Sequence, residues 1–280
     1  MASDVQLFAS INNDPEAQLE LNKLTADKVK LTESDFLELV HSELDTYIQY
    51  LENHAEFYTD ASEDAITHAI ASMFMATKKF KSSTQTYAGG AVDLTVQLDS
   101  HVWRAEAKID THENKVFEGL LQLLTRYSKR DTNKGMLIYV KTGSFKNKVT
   151  KWRDFVSNPL KWSTYTNKNK LPQHKAAIEE IFTTLKLNEN INHATFDFSV
   201  ELDNGLDVKI RNYFVDLKFL PSDSSGNSGK KHALNFAINE LLEIGEQDRQ
   251  GEPLDTTRLI QALNSLHLSK LPSTKKIPHK

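Results

Sequence analysis

A change of hydrophobic period in the middle of the chain restricts its fold more than any other feature. Residues 91–98 (Ala-Val-Asp-Leu-Thr-Val-Gln-Leu) alternate, and so do residues 101–108 (His-Val-Trp-Arg-Ala-Glu-Ala-Lys). Strict alternation is the period of a half-buried strand, and the short polar link Asp99-Ser100 fits a hairpin. On both sides the period is helical. Phe36, Leu37, Val40, Leu44, Tyr47, Ile48 and Leu51 form one stripe over 32–54, with Thr32 as N-cap. Ala65, Ile66, Ala69, Ile70, Met73 and Phe74 form another over 62–77, where Asp60 and Glu63 have capping-box spacing. Val116, Leu120, Leu123, Leu124 and Tyr127 point inward from a third helix over 114–129. The run Met136-Leu137-Ile138-Tyr139-Val140 reads as a strand covered on both faces. Helix, hairpin, helix and buried strand define an α/β fold: a mixed sheet flanked by helices.

A second hairpin lies at 194–217. A three-residue loop, Asp203-Asn204-Gly205, sets 202 opposite 206, 200 opposite 208 and 198 opposite 210, which keeps the apolar positions on one face. Gly205 takes the left-handed position in that loop. The organisation expected is an acidic helical segment over 1–60, a core with the second hairpin over 61–220, and a linker over 221–229. Two helices within 230–268 and a disordered tail at 269–280 complete it.

The chain has no cysteine, which removes disulfides, thiolate metal sites and a cysteine nucleophile. The opening residues lack a basic start and a long apolar run, so no secretory signal is expected, and no window has the length of a membrane span. A cytoplasmic location without membrane contact is expected. The net charge of -4 conceals an asymmetry, because residues 1–60 carry 13 acidic and 3 basic side chains and the remainder is net basic. The overall charge therefore does not argue against a nucleic-acid partner.

With 98 opposite 101, residue 93 falls opposite 106, and one hairpin face carries Asp93, Thr95, Gln97, Arg104, Glu106 and Lys108. Directly opposed acids, with Cβ atoms about 5 Å apart, repel each other. A divalent cation compensates better than the nearby Lys108. Without Cys or His ligands, the hard oxygen donors suit Mg2+ or Mn2+. A lysine beside such an ion can orient water and hold a phosphate oxygen.

Asp93, followed after twelve residues by Glu106-Ala107-Lys108, resembles the core of the PD-(D/E)XK nuclease superfamily over about residues 60–142. Val92 stands in place of the proline, and Arg126 stands where an exonuclease-like branch has tyrosine. The resemblance implies a restriction-endonuclease-like fold and metal-dependent phosphodiester hydrolysis, in DNA more than in RNA. Asp93, Glu106, the Ala107 carbonyl and Glu63 would hold the metal, Lys108 would position water and stabilise charge, and Gln122 would orient the site. Restriction or phage defence is the expected setting. A homodimer or a separate motor or sensor subunit is the expected protein partnership.

Each residue also has a plainer reading. Glu63 is either the metal-side acid or the capping partner of Asp60, and Asp64 competes with it. The Asp93, Glu106 and Lys108 face is either a site or a solvated sheet face. Gln122 is either an orienting residue or an exposed helix amide, and Arg104 either pairs with these acids or meets phosphate. Residues 141–175 carry nine Lys/Arg against one acid, interleaved with Phe145, Trp152, Phe155, Trp162 and Tyr165. Lys146, Lys148, Lys151 and Arg153 are the candidates for phosphate contact, with the aromatics either stacking on bases or forming a core. A nuclease-fold module without activity, binding nucleic acid or a partner, is the alternative function.

Overall fold

The computed structural model describes residues 31–87, 91–126, 130–168, 172–188, 192–219 and 226–270. Residues 1–30, the Gly89-Gly90 turn, Tyr127, residues 221–225 of the expected linker and the tail from 271 lie outside the described residues. The chain divides into a unit ending at Leu39 and a body from Val40 onward. In the first unit, Thr32 opens helix α1 (Glu33–Asn53): its Oγ1 accepts from the Asp35 backbone N–H at 3.1 Å, while Asp35 accepts from the Thr32 backbone at 3.2 Å. Each of these bonds satisfies a backbone donor that the helix or its entry leaves open.

The body is α/β, with helices on both faces of a seven-stranded mixed sheet. Its elements run α2 (Glu63–Ala76), β1 (Lys81–Ser83), β2 (Thr86–Tyr87), β3 (Ala91–Val92), β4 (Leu94–Leu98), β5 (His101–Ile109) and α3 (Glu113–Thr125). There follow β6 (Asn133–Val140), α4 (Phe145–Ser157), α5 (Pro159–Lys168), α6 (Pro172–Thr183), β7 (Lys186–Asn188), β8 (Thr195–Glu201), β9 (Asp207–Asp216), α7 (Gly226–Arg249) and α8 (Thr256–Lys270). The strand order is β1-β4-β5-β6-β9-β8-β7, and β2 and β3 form a separate ribbon. Strands β5, β6 and β9 are parallel neighbours, and every other pairing is antiparallel.

Both hairpin registers follow the alternation. Leu98 faces His101 and Leu94 faces Ala105, while Val200 faces Val208 and Phe198 faces Ile210. Gly205 adopts φ 75°, the left-handed conformation that the three-residue loop requires. Leu94, Val96, Trp103, Ala105 and Ala107 are fully buried on one face, toward α2 and the body's part of α1. There the Thr67 hydroxyl bonds the Tyr139 hydroxyl at 2.9 Å, and Tyr47 packs edge-on to Phe74. The opposite face is covered as well. Met136, Ile138, Phe198 and Ile210 pack with Val116, Phe117 and Leu120 of α3, and Phe117 touches Phe155, Tyr165 and Phe182. The polar hairpin face therefore lies beneath α3 rather than in open water.

Three details differ from the sequence expectations. Ser62, not Asp60, caps α2, accepting from the Ala65 N–H at 3.2 Å, and the buried stripe is Ile66, Thr67, Ile70, Ala71 and Phe74 with Ala65 exposed. Helix α7 begins at Gly226, within the stretch expected to be a linker. Gly, Asn and Ser are tolerated there because a first helical turn lacks internal partners for its N–H groups. Helices α5 and α6, absent from the sequence reading, each begin with proline, whose missing N–H and fixed φ suit that position.

Candidate functional site

The site arises where β5 loses a neighbour. The ladder between β4 and β5 ends at Leu94 and Ala105, because at Asp93 the chain bends away into β3 and the β2 ribbon. The next backbone donors on this edge of β5 are taken by carboxylates. Ala107 N–H donates to Asp93 Oδ2 at 2.9 Å, and Ile109 N–H donates to Glu63 Oε2 at 2.7 Å. Glu63 can reach across because Ser62 caps the helix and leaves the Glu63 side chain free. Asp64, the competing acid, turns instead to Gln85 Nε2 at 3.4 Å.

The Lys108 ammonium lies among these acids. Its Nζ is 2.6 Å from Glu106 Oε1, 2.8 Å from the Ala107 carbonyl, 3.3 Å from Glu63 Oε1 and 3.5 Å from Asp93 Oδ2. Glu106 is fully buried, with Glu63, Asp93 and Lys108 partly so. Burial alone would lower the Lys108 pKa. The charges of Glu106, Glu63 and Asp93 outweigh it, so the amine is held protonated well above the ordinary lysine range. A protonated Lys108 can stabilise negative charge. The donor set around it is all oxygen and carries three carboxylates, the chemistry that suits a hard divalent cation. The ammonium stands at the point where these oxygens converge.

One contributor was not singled out from the sequence. Gly119 of α3 lies over the lysine, and a Cβ placed there would come within 2.9 Å of Lys108 Cε and Cγ and 3.2 Å of Glu106 Cγ. The signal for it was a glycine inside an otherwise regular helix, where Gly is about 1 kcal/mol less favourable than Ala. Gln122, one turn further along α3, is half-buried. Among the described residues it makes no side-chain hydrogen bond to Glu63, Asp93, Glu106 or Lys108.

The residues expected to meet nucleic acid divide. Arg104 shares the hairpin face but pairs with Asp131, not with Asp93 or Glu106. Lys148 is a correction. It is buried, 2.8 Å from Glu243 Oε1 and 3.1 Å from the Asp110 carbonyl, so it cannot reach a phosphate backbone. Arg258 of α8 completes that network at Glu240 and Glu243. Burial pushes the Asp110 carboxyl up to about 6, opposed by Lys148. Lys146, Lys151 and Arg153 are exposed on α4. Trp152, Phe155 and Trp162 are buried, so these three aromatics serve the core.

By proximity, His112, Glu113 and Glu252 could also hold an ion, their ligand atoms lying within 4.8 Å of one another. The histidine is committed otherwise. Its Nδ1 accepts from the Asn114 N–H at 3.0 Å as the cap of α3, so in the neutral ring Nε2 carries the proton and donates to Glu252 at 2.9 Å. A metal at Nε2 would require Nδ1 protonated and would break the cap. The hydrogen bond from His112 lowers the Glu252 pKa.

Fold and site together define an α/β chain with a carboxylate–lysine cluster at the frayed edge of a central strand. No family model, curated protein or solved structure matches it. Among the described residues no helix is long and apolar enough to cross a membrane.

Proposed function

We propose that the chain is a metal-dependent nuclease of the restriction-endonuclease-like type, hydrolysing phosphodiester bonds, with DNA as the favoured substrate and phage defence or restriction as its setting. One observation carries the reading: Glu106 Oε1, the Ala107 carbonyl, Glu63 Oε1 and Asp93 Oδ2 all lie within 3.5 Å of the Lys108 ammonium. Mg2+ or Mn2+ held by Asp93, Glu106 and the Ala107 carbonyl would activate water and offset phosphate charge. Lys108 would position water and stabilise the charge that develops on the phosphate oxygens. Glu63 grips Lys108 with one oxygen and the β5 backbone with the other, so it fixes the ammonium relative to the strand.

The test is cleavage of plasmid and linear DNA with Mg2+, with Mn2+ and with EDTA. Loss of activity in EDTA and in Asp93→Ala, Glu106→Ala and Lys108→Ala is expected. No cleavage of DNA or RNA with either metal, or undiminished activity in the three variants, overturns the proposal. The close fit of the ammonium among the acids favours a second reading, a nuclease-fold module in which Lys108 permanently replaces the cation and the protein only binds nucleic acid or a partner. Absence of Mn2+ binding by the wild-type protein would select it.

A further inference from the structure

A cavity of about 790 Å3 lies between the start of α3 and the second half of α7, of a size that suits a small organic ligand. Lys115 of α3, Tyr165 of α5, and Leu242 and Arg249 of α7 line it. The Asn114 amide reaches Gln250 at 3.4 Å and bridges the two walls. The cavity adjoins the candidate site through a single carboxylate. Lys115 Nζ is 3.5 Å from Glu63 Oε2, and the other oxygen of Glu63 is 3.3 Å from Lys108 Nζ.

The wall chemistry selects the ligand. Lys115 is half-exposed, and Arg249 is 73% exposed although its guanidinium also meets Glu246 at 3.4 Å. Glu118 and Glu246 line the cavity too, so a multivalent anion is disfavoured and a single phosphodiester charge is tolerated. Leu242, 64% exposed, and the half-buried Tyr165 both line the cavity, and the Tyr165 ring is anchored edge-on against Phe117 at 5.2 Å. A flat aromatic base joined to one negative phosphate matches both halves of this lining.

We propose that the cavity seats a nucleotide unit of a nucleic-acid strand, with its phosphate at Lys115 and its base between Tyr165 and Leu242, so that the strand leads on to the Lys108 cluster. Lys115 is then a positioning residue for the substrate. The inference rests on the nuclease reading for its purpose, but its test is binding. The full-length protein is titrated in EDTA against a labelled single-stranded oligonucleotide by fluorescence anisotropy across a range of salt. Lys115→Ala is expected to weaken binding about tenfold and to flatten the slope of log affinity against log salt by about 0.7, the value of one phosphate contact on a single strand. Lys115→Arg restores both. Tyr165→Leu weakens binding by about tenfold through lost stacking while leaving the salt slope unchanged.

Wild-type affinity and slope in Lys115→Ala, with unchanged melting, overturn the proposal. If the wild-type protein nevertheless cleaves DNA, the nuclease reading survives that result. Losses as expected in a wild-type protein that cleaves nothing keep the cavity assignment and remove the nuclease reading. A free mononucleotide that competes as strongly as the oligonucleotide overturns the strand assignment and gives the cavity to a soluble nucleotide.

Discussion

Lys108→Ala is the most informative perturbation of this protein. It removes the ammonium from among Glu63, Asp93 and Glu106 and leaves their charges facing each other. Removing one partner of a buried ion pair costs about 3–5 kcal/mol. The lower end applies here, because Asp93 and Glu63 are partly exposed and keep their backbone bonds at Ala107 and Ile109. For a chain of 280 residues the unfolding entropy is about 0.6 kcal/mol/K, so a loss of about 3 kcal/mol lowers Tm by about 5 °C. The same variant becomes a cation sensor. With free Mn2+ at a hundred times its Kd, binding returns about 2.7 kcal/mol and most of the lost Tm. The wild-type protein, whose ammonium competes for the position, shifts less. Thermal melts in EDTA and in excess Mn2+ read all of this. A variant that melts with the wild type in EDTA, or that is indifferent to Mn2+, refutes the idea that these acids share one cation.

Other outcomes follow from single contacts. Gly119→Ala pushes a methyl group against the Lys108 side chain; with the helix gaining about 1 kcal/mol of propensity, stability should change little while the proposed DNA cleavage should drop at least tenfold in a plasmid assay. Burial, reinforced by Arg211 and Lys209, lowers the His41 pKa from 6.5 to about 4, so the unfolded chain binds a proton between these values that the folded one refuses. Stability is therefore lost as pH falls through that window, by about 2 kcal/mol after allowing for partial exposure, and His41→Gln should flatten the profile measured by urea unfolding. Trp152→Phe leaves the buried Asn212 carbonyl oxygen without the indole N–H that it accepts at 2.9 Å, a loss of about 1–3 kcal/mol in the same assay.

What could be read from the sequence was set by local periodicity. The registers of Leu98 with His101 and of Val200 with Val208 follow from period-2 alternation and loop length alone, and the hairpin places Asp93 and Glu106 toward Lys108. The caps were harder, because Asp60 and Ser62 both have cap-forming side chains and the choice decides whether Glu63 is free. Long-range partners were not legible. Lys148 looks like a surface cation within a basic segment, but the acid that draws it inside is Glu243, on a helix far along the chain. Arg104 is likewise drawn away from the site by Asp131. Gly119 and Lys115 carry no motif, and their importance depends on how α3 lies across β5.

The bond from Ala107 to Asp93 has a practical consequence. A buried backbone amide that loses its acceptor costs about 1–3 kcal/mol. Asp93 and Glu63 act as stoppers on the unaccompanied end of the fifth strand, whatever chemistry they also perform. Because Ala107 is fully buried, Asp93→Ala leaves its N–H without an acceptor inside the body, so this variant should lose stability along with the carboxylate. Asp93→Asn keeps an acceptor oxygen in place and removes only the charge, so it separates the strand-holding role of this side chain from its charge.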